Sequence, residues 1–163
     1  MGFRGAEVSG TLWNEWYNTK HIPTRIPVPG FLFARRFVAV ESKPKYLALY
    51  DLADTSVISS EAYMKLRDME RALPPDSFEH ITSSLPNLMR GIYDQIFPEH
   101  SAYEPPTTDF VFMLGHNVPA GKDDVFNAWY KTAHIPAMRR VPGFVAARRF
   151  RANDAKFPDL HKP

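Results

Sequence analysis

The chain has no cysteine. That excludes disulfides, cysteine nucleophiles, iron–sulfur clusters and Cys-based zinc sites, and it points to a reducing, cytoplasmic setting. An excess of one charge is also missing: 20 Lys plus Arg stand against 18 Asp plus Glu, for a net charge of +2. So close a balance provides no polybasic surface for nucleic acid or for an anionic membrane. The longest uncharged apolar stretch, Phe110 to Gly121, is too short to span a bilayer and contains His, Asn and Pro. The amino end, Met1 to Glu7, lacks the apolar stretch of a signal peptide. There is no G-x-G-x-x-G, P-loop or G-x-S-x-G, which argues against nucleotide and serine-hydrolase chemistry. No H-x-H or H-E-x-x-H spacing offers a metal site, which leaves only three histidines assembled in space, so neither metal nor cofactor is expected.

What the sequence does hold is a repeat. Hydrophobic residues make up 44% and aromatics 13% of 163 residues, a globular composition rich in large rings. Thr11–Phe37 matches Asp124–Phe150 without a gap, at a constant offset of 113 and with 15 of 27 positions identical. The shared core reads N-x-W-Y-x-T-x-H-I-P, then V-P-G-F-x-x-A-R-R-F. A match of that density is a tandem duplication.

Each copy has a physical reading. Leu12, Trp13, Trp16 and Tyr17, like Val125, Phe126, Trp129 and Tyr130, recur at helical spacing and form one apolar face. The helix is expected to stop near His21 and His134, because the next residue precedes a proline. Pro29-Gly30 and Pro142-Gly143 predict turns, and Phe31 to Val40 predicts a strand pairing with Tyr46 to Leu52 as a hairpin. Ser60 is placed to cap a helix from Glu61 to about Leu73, ended by Pro74-Pro75. A less regular stretch, Asp76 to Leu88, leads to a strand over Arg90 to Phe97; Asp109 to Asn117 is the expected strand opening copy two.

This order predicts an α+β chain built from β-α-β-β-α-β units with antiparallel sheets. The first repeat spans 1–97, a linker 98–108, and the partial second repeat 109–163. Both ends read as incomplete. By the offset Met1 aligns with Leu114, and His161-Lys162-Pro163 resembles Ser42-Lys43-Pro44 just before the expected second hairpin strand. The expectation is a fragment, or a protein that completes its sheets between chains as a homo-oligomer or by self-paired repeats.

The run N-E-W-Y-N-T-K-H-I-P…V-P-G-F…A-R-R-F…K-Y-L-A-L-Y-D-L resembles the dimeric α+β-barrel superfamily, and within it the EthD-like (ethyl tert-butyl ether degradation-like) proteins. The resemblance covers Thr11 to about Phe97, with Phe110 to Phe150 as a second partial copy. It implies ferredoxin-like units whose sheets pair to enclose a barrel. It identifies a fold better than an activity, since such proteins include cofactor-free monooxygenases, muconolactone-type isomerases, polyketide cyclases and decarboxylases, and haem-binding members.

His21 and His134 are the candidate catalytic residues. Asn14, Tyr17 and His21 share a helical face, as do Asn127, Tyr130 and His134. A histidine in the last helical turn is favoured in its protonated form by the dipole, and an imidazole poised near neutrality suits proton transfer beside a carbonyl. The structural alternative is that each histidine caps its helix. The Arg35-Arg36 and Arg148-Arg149 pairs put one arginine on each strand face. Arg35 is expected to share its face with Phe31, Phe33 and Phe37, and Arg148 with Phe144 and Phe150, where each can bind a substrate carboxylate or enolate or serve in an ion pair. Trp16, Tyr17, Trp129 and Tyr130 are core residues or the walls of a pocket for a flat apolar ligand, which the hydroxyl of Tyr46 or Tyr50 can reach. His116 adds a polar group or marks a strand end. Together these suggest a cofactor-independent lyase or isomerase working by proton transfer on an apolar aromatic or polyketide-like molecule. The alternatives are a cofactor-free monooxygenase and a non-catalytic ligand-binding or assembly module.

Overall fold

The computed structural model describes residues 10–41, 43–74, 77–78, 90–99, 104 and 108–153. The chain is α+β and divides into two compact units, Met1–Ile92 with Asn153–Pro163, and Tyr93–Ala152.

In the first unit α1 (Gly10–Trp16) does not end at the histidine. It continues through a π-helical turn, Tyr17–His21, into α2 (Ile22–Arg25). The expected stop is overridden for a definable reason. Pro23 has no N–H and its ring would crowd the carbonyl four residues back. Widening the turn so that the Ile22 N–H donates to the Tyr17 carbonyl places Pro23 in the first turn of α2, where a missing N–H costs little. The second unit repeats the device: α4 (Asp123–Trp129), a π turn Tyr130–His134 with the Ile135 N–H on the Tyr130 carbonyl, then α5 (Ile135–Met138). Thr19 and Thr132 donate their hydroxyls to the carbonyls of Glu15 and Ala128, each at 2.8 Å.

The hairpin forms as expected from β1 (Phe31–Val38) and β2 (Tyr46–Leu52), antiparallel, with Arg36 opposite Ala48 and Val38 opposite Tyr46. A register shift between Phe31 and Phe33 breaks the strict alternation. Phe31 therefore lies opposite Leu52 and packs on Tyr50 and Tyr63, on the face away from Arg35. The expected grouping of Phe31 with Arg35 is thus corrected by the bulge.

Ser60 caps α3 (Glu61–Arg71), its hydroxyl accepting the Tyr63 N–H at 3.3 Å. Val28, Ile58 and Tyr63 form the core of this unit, with Phe31, Leu52, Leu66 and Ile92 packed against it. Full burial of one such side chain is worth about 2 kcal/mol. Arg25, only 6% exposed, closes the assembly from α2 by a two-pronged pair with Glu70 of α3, one prong at 2.7 Å.

In the second unit β3 (Tyr93–Phe97) pairs antiparallel with β4 (Arg149–Ala152). The strand expected over Asp109 to Asn117 does not form. Those residues make no ladder with any of the described residues, and Phe110 and Phe112 are 83% and 70% exposed. Apolar side chains there signalled a strand, but a strand exists only where a neighbour takes its backbone groups. For the same reason the strand after Phe144 shortens to the four residues facing β3. The expected stretch Asp76 to Leu88 and the linker 98–108 lie largely outside the described residues.

Three substitutions test this packing. Gly30 has φ +92°, and a Cβ there would collide with Val57, whereas Gly143 has φ +94° with nothing within 4 Å. Gly143→Ala should cost about 1 kcal/mol for the left-handed backbone alone, and Gly30→Ala about 2 kcal/mol or more, by urea denaturation. Glu70→Ala, which strands a buried guanidinium, should cost about 3 kcal/mol in the same assay.

Candidate functional site

The site in the first unit is a continuous cluster of rings. Tyr17 and His21, four apart and so neighbours on one helix face, meet with ring centroids 4.6 Å apart. Trp16 lies on the other side of His21, also at 4.6 Å, and Tyr50 of β2 approaches it at 6.4 Å. Trp13 contacts Trp16, Tyr17 and Tyr46, and Phe78 covers both tryptophans at 6.4 and 5.2 Å.

The arginine on this face is Arg36. Its guanidinium donates to Asn14 Oδ1 at 2.7 Å and to Asn18 Oδ1 at 2.9 Å, and lies 4.3 Å over the Tyr17 ring. Arg35 is on the opposite face, over Phe37 at 5.5 Å, and is not brought to His21. The second unit reproduces the arrangement. Arg149 donates to Asn127 Oδ1 at 2.7 Å and lies 4.3 Å over Tyr130, while Arg148 lies over Phe150 and donates to Gln95 at 2.9 Å. Strand alternation puts one arginine of each pair on each face but does not say which faces the helix. The asparagine kept in both copies was the available signal.

The expectation of a protonated His21 is reversed. Burial, and then the positive charges of Arg25, Arg90 and Arg36, lower its pKa from 6.5 to about 3. The dipole argument fails because a helix C-terminus acts only over its last turn, and this helix runs on to Arg25. Arg90 is held nearby by donating to the Tyr63 hydroxyl at 2.9 Å. Neither Arg25 nor Arg90 was singled out from sequence, and no local pattern marks them.

Tyr50 is pushed well above the usual phenol range, by burial first and by its neighbour Tyr17 second, and burial raises Tyr17 as well. Tyr50 keeps its proton and is a donor. Among the described residues three buried polar atoms here lack a well-formed hydrogen bond: His21 Nδ1, Trp13 Nε1 and the Tyr50 hydroxyl, which has the Tyr17 hydroxyl as its neighbour. Such groups are costly to leave unsatisfied and mark places for water or ligand; His21 and Tyr50 approach each other, and Trp13 lies beyond Tyr17. All three can donate a hydrogen bond, and three guanidinium groups set a positive field around the histidine. That combination suits a negatively charged or polarised oxygen.

In the second unit Trp129, Tyr130 and His134 come together too, at 4.8 and 4.6 Å from the histidine ring. Here the Tyr130 hydroxyl meets His116 Nε2 at 3.4 Å, so His116 neighbours Tyr130 as Tyr50 neighbours Tyr17. The position of Arg25 is taken by Met138, and Trp129 is 48% exposed. The two copies therefore share a scaffold and differ in their surroundings.

Among the described residues no group of three His, Cys, Asp or Glu is placed to hold a metal, and no helix is long and apolar enough to cross a membrane. No protein-family model, curated protein or solved structure matches the chain.

A histidine held neutral when folded binds fewer protons than the unfolded chain between pH 6.5 and about 3, so stability falls as pH drops through that window. The loss for this one group reaches at most about 1.4 kcal/mol per pH unit. Melting temperatures from pH 7 to pH 4 should therefore fall more steeply for the native chain than for His21→Phe. Parallel curves would remove the buried neutral histidine.

Proposed function

We propose that the first unit carries a small-molecule site that stabilises an oxyanion, and that the protein is a cofactor-independent lyase or isomerase acting on an apolar, aromatic or polyketide-like carbonyl compound. The observation that carries this reading is the set of buried donors, His21, Tyr50 and Trp13, that lack a well-formed hydrogen bond among the described residues and lie inside a wall of rings. Neutral His21 acts as a hydrogen-bond donor to the substrate oxygen, not as the proton shuttle its helix position suggested. Tyr50 and Trp13 complete the set, Arg25, Arg36 and Arg90 favour the negative charge, and Trp16 and Tyr17 hold the apolar body of the substrate. In a decarboxylation, for example, the bond to the carboxylate carbon breaks and its electron pair moves through the adjacent carbon to the carbonyl oxygen. Carbon dioxide leaves, and a proton from water completes the product. Such sites act by differential stabilisation of the charge that develops.

Kinship with EthD-like proteins, ferredoxin-like units, pairing of units or chains into a barrel, and a cytoplasmic setting belong to the same proposal. They rest on the repeated motif, on the helix–hairpin packing of the first unit and on the absence of cysteine. A non-catalytic binding or assembly module is the second reading. It is favoured by the engagement of Asn14 with Arg36 and Asn127 with Arg149 in packing.

4-Nitrophenol, whose anion is coloured, separates the two. Below the phenol's own pKa the protein should develop the coloured anion saturably, and Tyr50→Phe or Trp13→Phe should weaken binding about tenfold each, as for a hydrogen bond to a charged group. Preferential uptake of the neutral phenol would overturn the oxyanion site. The second reading instead predicts that His21→Ala lowers the melting temperature and leaves phenolate affinity unchanged.

A further inference from the structure

The duplication shows what one helix face packs against, because one copy is covered and the other is open. In the first unit Trp13 and Trp16 form a two-ring platform, with centroids 5.8 Å apart and planes at 38°. Phe78 lies on it, and Trp16 is 9% exposed. By the 113-residue offset the corresponding rings are Phe126 and Trp129. They stand 6.2 Å apart with planes also at 38°, so the platform is already formed. Among the described residues Trp129 has ring contacts only with Phe126, Tyr130 and His134, all of its own helix. The platform borders an open groove of about 300 Å³ lined by Val118, Pro119, Lys122, Val125, Phe126 and Trp129. Lys122 is the one charged residue in that lining.

We propose that this groove docks a partner polypeptide presenting a phenylalanine ring flanked by acidic residues. The ring would lie across Phe126 and Trp129 as Phe78 lies across Trp13 and Trp16. Phe78 itself stands in the sequence Asp76-Ser77-Phe78-Glu79, and the acidic neighbours complement Lys122, whose counterpart in copy one is the uncharged Ser9. An aromatic anchor in a preformed apolar groove with a charge at its rim is an ordinary peptide-recognition arrangement. The dock lies in the second unit and does not depend on the chemistry assigned to His21.

The probe is a fluorescein-labelled peptide of Leu73–His80, titrated against the whole chain by fluorescence anisotropy. Saturable binding is expected, weakened about tenfold or more when the peptide carries Phe78→Ala. Binding should also be lost with Trp129→Ala or Val125→Glu in the protein, and reduced by Lys122→Glu. Both Trp129 and Val125 are exposed, so these variants should fold, which circular dichroism checks. Equal binding of the Phe and Ala peptides, or binding indifferent to both Trp129→Ala and Val125→Glu, overturns the proposal. So does a dimer in sedimentation that Trp129→Ala converts to monomer, because a second copy would then occupy the groove.

Discussion

A proline placed four residues after a threonine, inside a helix, sets the geometry on which the rest of the structure depends. Pro23 and Pro136 cannot continue an ordinary helix, and both copies answer with one widened turn rather than a break. The tyrosine and histidine at its two ends, four residues apart and so neighbours on one helix face, are in ring contact at the same 4.6 Å in each copy. The wider turn also carries the helix on for four more residues. In the first unit that extension delivers Arg25 to Glu70, which ties the motif to α3 and adds to the positive field at His21.

Above this turn a second contact is duplicated almost to the tenth of an ångström. Arg36 and Arg149 each donate to an asparagine at 2.7 Å and lie 4.3 Å over a tyrosine ring. A planar guanidinium can meet a carbonyl oxygen with its edge and a ring with its face, which lysine cannot do. One side chain thereby locks the helix to its strand. The motif's arginine is in this sense a packing residue, and its charge still reaches the histidine in the first unit.

The copies diverge in what surrounds this shared frame. His21 is enclosed by Trp16, Tyr17 and Tyr50 and ringed by three arginines, whereas the second unit has Met138 in place of Arg25 and leaves Trp129 half-exposed. The duplicated scaffold thus keeps one fold while the surroundings of its histidine differ between copies.

Much of this was legible in the linear chain. The duplication, the paired helices, the Pro-Gly turns, the β1–β2 hairpin and the Ser60 cap follow from spacing and residue type, which act over a few residues. Tertiary structure alone decided that Arg36 rather than Arg35 meets the helix, that a bulge turns Phe31 towards Tyr50, and that the Asp109 to Asn117 stretch pairs with none of the described residues. It also decided the charge of His21. A pKa is set by burial and by the charges that surround a group in space, and Arg36 and Arg90 reach this histidine from positions 15 and 69 residues away in the chain (36 − 21 and 90 − 21).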